Sequence, residues 1–137
     1  MIRNFREFPL DSTLRGTVRE AGVGTGLNLG YDHRDVTLTA LDLSLAMLRK
    51  AQKRAKEAVC SVDFVADDAC IMAAISSTHY DRIISTFLCC VMADEIQPLA
   101  LEQFSSVLKP GGRFRLVEIL YSRDASIRKR QERRHVL

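Results

Sequence analysis

Glu20-Ala21-Gly22-Val23-Gly24-Thr25-Gly26 follows an apolar, β-branched run, Thr17 to Ala21, and precedes a short helical turn. Three glycines at alternate positions let the main chain bend sharply and let a ligand approach where a Cβ would intrude. A helix start beside them offers N–H groups to a carboxylate, so a compact charged part of a ligand fits there. A GxGxxG dinucleotide fingerprint needs a further glycine at Leu27 or Leu29, depending on register, which leaves a nicotinamide dinucleotide as the weaker ligand.

The same kind of run recurs on either side of helical patterns. After Thr17 to Ala21, the segments Val36 to Leu41, Val62 to Ala66, Arg82 to Leu88 and Arg113 to Leu120 read as strands two to five. Between strands two and three, Ser44 to Val59 carries Leu48, Ala51, Ala55 and Ala58 at helical spacing, with Lys50, Lys53, Arg54 and Lys56 on other faces. Ser44 is its expected N-cap. A further helix runs from Pro98 through Leu101 and Phe104 to Leu108, and Lys109-Pro110-Gly111-Gly112 stops it in a tight turn feeding strand five. Strands alternating with helices predict an α/β, Rossmann-like, mainly parallel sheet with helices on both faces, and a ligand site outside the carboxyl ends of the strands.

Two acidic features fall on that edge. Asp42 ends the second strand, sixteen residues beyond Gly26, where a carboxylate accepts hydrogen bonds from two ribose hydroxyls or, alternatively, caps the next helix. Asp67-Asp68-Ala69 follows the third strand, where a carboxylate accepts from an adenine amino group or caps a turn. Glycine loop, Asp42 and Asp68 thus sit at successive strand ends on one side of the sheet.

The 137 residues are read as one domain, 1–137, and the 47% hydrophobic and 27% charged composition is that of a soluble protein with no membrane span. Met1 to Leu10 holds Arg3 and Arg6, but Glu7 and Pro9 intrude and no signal-peptide run follows, so a cytoplasmic setting is preferred to a mitochondrial one. Residues 121–137 carry a net +4 of the chain's +3, leaving −1 elsewhere, and read as a basic partial helix or tail. A basic face with interleaved aromatics is missing, so nucleic acid is not an expected partner. Cys60, Cys70, Cys89 and Cys90 show no CxxC spacing, and neither a metal site nor a disulfide framework is expected.

With these residues in order, the chain resembles class I S-adenosylmethionine (SAM)-dependent methyltransferases. EAGVGTGLNL is similar to their first motif, LTALDLSLAMLRKAQKRA to the second and DFVADDACIM to the third, while YDRIISTFLCCV and LKPGGRFRLVE resemble the fourth and fifth. The short link from the glycine loop to strand two is similar to the ubiquinone-biosynthesis-like group acting on small molecules, lipids or thiols. The resemblance implies strand order 3-2-1-4-5 and SAM as cofactor. It implies that Glu20, Gly22, Gly24 and Gly26 surround the methionine part and that Asp42 holds the ribose. It further implies that Leu43 and Met47 flank the adenine, that Asp68 and Ala69 meet its polar edge, and that Thr86 stands near the methyl donor. Core packing is the alternative for Leu43 and Met47.

Two departures stand out. Arg19 occupies a strand position usually aliphatic in the family, so its charge must reach solvent or a partner and weakens the strand. Complete members also have helices before the first strand and two strands after the fifth. The chain therefore reads as truncated at both ends, and a SAM-binding module without activity of its own is the alternative to an enzyme. A fifth strand left as a sheet edge invites a homodimer.

Methyl transfer is an in-line displacement for which the protein mainly aligns the acceptor, a small molecule or lipid, and a base is needed only for some acceptors. His33 and His79 precede strands two and four, at the wrong end of the sheet for that role. Ser85 to Cys90 leaves strand four on the right side. Asp94 and Glu95 follow it as bases or as acidic residues at a helix start.

Overall fold

Residues 14–31, 34–71 and 79–134 are described by a computed structural model. Met1 to Leu10 and His33 lie outside the described residues. The β-branched runs form β1 (Gly16–Ala21), β2 (Val36–Asp42), β3 (Ser61–Ala66), β4 (Tyr80–Thr86) and β5 (Leu108–Val117). All pair in parallel in the order β3-β2-β1-β4-β5, the expected Rossmann-like topology.

Side chains alternate across this sheet and so supply two cores. Val18, Leu38, Ala40 and Ile84 pack with Leu48 and Ala51 of α1 (Leu45–Arg54). Ala21, Leu41 and Ile83 pack on the other face with Ala100, Phe104 and Val107 of α2 (Gln97–Val107). β1, paired on both edges and covered on both faces, buries Val18 to Ala21 completely or nearly so.

Ser44 caps α1 as expected, its extended backbone letting Oγ accept the Met47 N–H at 3.4 Å. The helix is shorter than its pattern, passing at Ala55 into a single 3-10 turn (Ala55–Glu57). Ala58 is already extended and Val59 is exposed, so the chain leaves the helix to enter β3 once the inward stripe ends. α3 (Ala125–Arg134) forms within the basic segment, with Asp124 Oδ1 accepting the N–H groups of Ser126 and Ile127. Gln131 ties it back, accepting from the Ser122 N–H and donating to the Leu120 carbonyl. Among the described residues no helix is long and apolar enough to cross a membrane.

The fifth strand differs from its sequence pattern: it begins at Leu108 and ends at Val117. Lys109-Pro110-Gly111-Gly112 is a bulge inside the strand, with Tyr80 opposite Leu108 but Arg82 opposite Arg113. Proline has no N–H for the ladder and Gly111 takes φ 78°, so the chain loops out and rejoins. The bulge sets Lys109 Nζ 3.1 Å from both Asp81 carboxylate oxygens and 3.2 Å from Thr17 Oγ1. Thr17 N–H donates to Asp81 Oδ2 at 2.8 Å, so the amino ends of β1, β4 and β5 are stapled together.

The Thr17 bonds, followed by Lys109, hold the Asp81 carboxyl down at about 2. A carboxyl depressed in the folded state adds stability above its unfolded pKa, and that stability is lost as pH falls from about 4 through 2. Asp81→Asn is expected to cost about 1 kcal/mol at pH 7, a figure discounted for solvent exposure, and almost nothing at pH 2. Urea titrations at the two pH values check this, and an equal cost at both would refute it.

Arg19 is fully buried within β1. Its guanidinium carbon lies 5.2 Å from the centre of the Tyr80 ring. Burial pulls its pKa down, while Tyr80 and Asp67 act in the opposite direction. The ladder runs through Arg19 without a break, opposite Thr39 and Ile83.

Candidate functional site

At the carboxyl end of β1 the N–H groups of Gly22 and Val23 both donate to the Leu41 carbonyl at 2.9 Å, folding the glycine loop over the end of β2. Gly24 and Gly26 both have positive φ, 55° and 78°, but for different reasons. A Cβ on Gly26 would lie 2.9 Å from Ala51 Cα, so this glycine lets α1 back against the loop. A Cβ on Gly24 would meet nothing within 4 Å, because that residue faces open space.

Asp42 joins loop and helix. Its Oδ2 accepts the Gly24 N–H and its Oδ1 the Ser44 N–H, both at 2.8 Å. Asp42 thus bonds the N-cap residue of α1 rather than an N–H of its first turn, and the same carboxylate also lines a cavity of about 350 Å3. Gly22, Val23, Gly24, Thr25 and Leu27 form its loop side, with Met47 of α1, Thr86 at the end of β4, and Phe87, Leu88 and Val91 of the segment after β4 completing it. Among the described residues Asp42 is the one charged member of that lining.

Beneath the loop, Asn28 Nδ2 donates to Glu20 Oε1 at 2.7 Å and to Thr86 Oγ1 at 2.9 Å, all three residues being buried. Glu20 thus underlies the loop rather than lining the cavity, and Asn28 ties β1 to β4. The sequence gives no sign of Asn28's role, since an asparagine in a turn ordinarily serves the turn itself.

β4 leaves the sheet through Phe87, whose φ of 61° is left-handed without a glycine to ease it. Such a conformation costs about 1–2 kcal/mol and is held by the Phe87 N–H donating to the Val117 carbonyl at 2.8 Å. The following single turn (Cys89–Val91) turns Leu88 and Val91 toward the cavity. Glu118, just past β5, accepts the N–H groups of Cys89 and Cys90 at 3.0 Å each and fixes that turn. Burial, followed by the charge of Glu118, pushes the Cys89 thiol up to about 11. Burial also raises Cys90.

Of the residues singled out in the sequence, Gly22, Gly24, Asp42, Met47 and Thr86 meet in this one cavity. Gly26 packs under α1. Leu43 is 72% exposed and so is no core residue. Asp68 Oδ1 accepts the Cys70 N–H in a local turn, and Ala69 belongs to the core under α2. His79 stands at the amino end of β4, its N–H on the Val107 carbonyl, away from the cavity. Asp94 accepts from the Gln97 side chain at 3.2 Å and borders a different cavity.

Comparison with known proteins gives this geometry a context. Among curated proteins none matches the chain. Solved structures do match: the N-methyltransferase NodS of Bradyrhizobium japonicum, in complex with S-adenosyl-L-homocysteine, superposes with a TM-score of 0.72 at 19% identity, over 94% of this chain and 64% of NodS. YcgJ of Bacillus subtilis reaches a TM-score of 0.78 at 21% identity, over 91% of this chain and 54% of its own. An arsenic(III) S-adenosylmethionine methyltransferase of Chlamydomonas reinhardtii gives 0.68 at 20%, over 79% and 40%. The chain therefore spans little more than half the length of YcgJ and about two thirds of NodS. A family model described as a methyltransferase domain matches residues 18–112, from β1 through the bulge of β5. With more than half the chain inside that match, and the fold and strand order to go with it, the protein belongs to the methyltransferase-domain family.

Proposed function

We propose that the cavity binds S-adenosylmethionine and that the domain transfers its methyl group to a small-molecule or lipid acceptor, in the manner of the ubiquinone-biosynthesis-like group. The observation that carries this reading is the meeting of Gly24 and Asp42 in one cavity at the carboxyl ends of adjacent parallel strands. The residues present suit the cofactor. Gly24's bare main chain admits its charged amino-acid end, and Asp42 accepts from the ribose. Each Asp42 oxygen takes one N–H and keeps a further lone pair for a hydroxyl. Met47, Leu88 and Val91 offer the apolar wall that a purine needs.

When bound, the sulfonium supplies a methyl group already activated for displacement. The chain's own contribution is alignment: the Glu20–Asn28–Thr86 bonds and the Phe87 turn hold the loop and the end of β4 in fixed relation. Glu20 acts from beneath the loop and Gly26 from within it, Leu43 stands with Met47 toward the adenine, and Asp68 with Ala69 is assigned its polar edge. No side chain is assigned as base. Four free cysteines support a cytoplasmic setting, and β5, outermost in the sheet, supports a homodimer along that edge.

Isothermal titration with SAM and with S-adenosyl-L-homocysteine is expected to give micromolar affinity for both. A protein that binds neither sinks the reading. If binding holds, multiple turnover of methyl groups onto a panel of small acceptors separates an enzyme from a donor-binding module.

A further inference from the structure

Behind the turn Cys89–Val91 lies a second cavity, of about 330 Å3, that shares none of its described lining residues with the first. The turn is the partition, with Val91 on the donor side and Cys89 and Cys90 on the other. Leu101 of α2 and Leu116 of β5 supply apolar walls, and Ile119 and Tyr121 close it from the segment that follows β5. Among the described residues two of its lining are charged, Asp94 and Glu118, and both are acidic.

From this lining we infer a binding site for a small apolar ammonium ion, with its hydrocarbon body between Leu101 and Leu116 and its charge toward Asp94 and Glu118. An apolar cavity whose charges, among the described residues, are carboxylates favours a ligand with an apolar body and a cationic head over a neutral or anionic one of the same shape.

Both carboxylates are already held in place. Glu118 is fixed by the N–H groups of Cys89 and Cys90, at 3.0 Å each, and Asp94 by the Gln97 amide at 3.2 Å. A carboxylate offers about four acceptor positions, so Glu118 keeps capacity for an ammonium donor. Tyr121 adds an aromatic ring of the kind that attracts cations. The two thiols stay protonated, since burial raises both, and bring no competing thiolate.

The test uses 4-phenylbutylamine, protonated at pH 7, with 4-phenylbutanol and 4-phenylbutyrate as neutral and anionic counterparts. Each is titrated into the isotopically labelled domain and followed through backbone amide shifts. The amine is expected to shift Cys89 to Asp94 and Leu116 to Tyr121, and to bind about tenfold tighter than the alcohol. Asp94→Asn, an exposed position that spares the fold, is expected to remove most of that preference, while Asp42→Ala leaves it intact. This last variant keeps the site distinguishable from the donor reading, whose failure would not touch it. Equal affinity for amine and alcohol, shifts confined to the glycine loop, or no binding of the amine overturns the proposal.

Discussion

Asp42→Ala is expected to lower the affinity for SAM by roughly 100-fold, the loss of two hydrogen bonds to a charged acceptor. The carboxylate has two tasks, and the substitution ends both. It removes the acceptor proposed for the ribose, and it releases the Gly24 and Ser44 N–H groups that Asp42 holds at 2.8 Å. The second loss resembles that of a helix cap and is expected to cost about 1–2 kcal/mol of stability. Asp42→Asn separates the two: its remaining carbonyl oxygen can keep one of the N–H bonds, so stability recovers more than affinity does. Calorimetric titration read beside thermal melts checks both halves. Wild-type affinity in Asp42→Ala would show that the cavity is not where the cofactor lies.

Gly26→Ala and Gly24→Ala are expected to differ sharply, although both replace a glycine of the same loop. At Gly26 the new methyl group meets the backbone of α1, 2.9 Å from Ala51 Cα, and the residue keeps a φ of 78°. Backbone strain and overpacking together cost on the order of 3 kcal/mol or more. In a domain of this size that lowers the melting temperature by roughly 10 °C. At Gly24 the methyl group meets nothing within 4 Å, so only the strain of a φ of 55° remains, about 1 kcal/mol. There the effect falls on binding, since the methyl group projects where the cofactor's charged end is proposed to sit, and a loss of affinity of roughly tenfold or more is expected. Equal melting temperatures for the two variants would show that α1 does not press on the loop.

The family-defining parts were legible because each is local. A β-branched run followed by alternate glycines reads as strand and tight turn whatever surrounds it, and Ser44 caps α1 with a bond spanning three residues. Asp42's place at the end of β2, beside the glycine loop, was legible from its position in the pattern, while the sequence left capping and ligand binding open as alternatives. The fifth strand was misplaced at both ends for the opposite reason. Proline and paired glycines read locally as a turn, and only pairing with β4, on either side of the bulge, makes Lys109 to Gly112 part of the strand.

Side-chain direction beyond the strands was not legible either. The segment after β4 was placed on the right side of the sheet, but the left-handed Phe87 decides that Val91 faces the donor cavity while Cys89 and Cys90 face away. Arg19 shows the same limit: its charge forecast a weak strand, and a long-range partner, the Tyr80 ring, lets it lie buried within an unbroken ladder.

The sequence by itself determined the α/β class, the strand order by resemblance, and the glycine–aspartate pair, because these follow from short-range sterics, hydrogen bonding and hydrophobic period. Only the tertiary structure decided that Asn28 bonds Thr86, 58 residues away, as well as Glu20, that Gly26 serves packing while Gly24 serves the cavity, and that a second cavity, with acidic residues in its lining, lies behind the Cys89 turn. Those depend on which side chains distant segments bring together, and no local pattern in the chain records that.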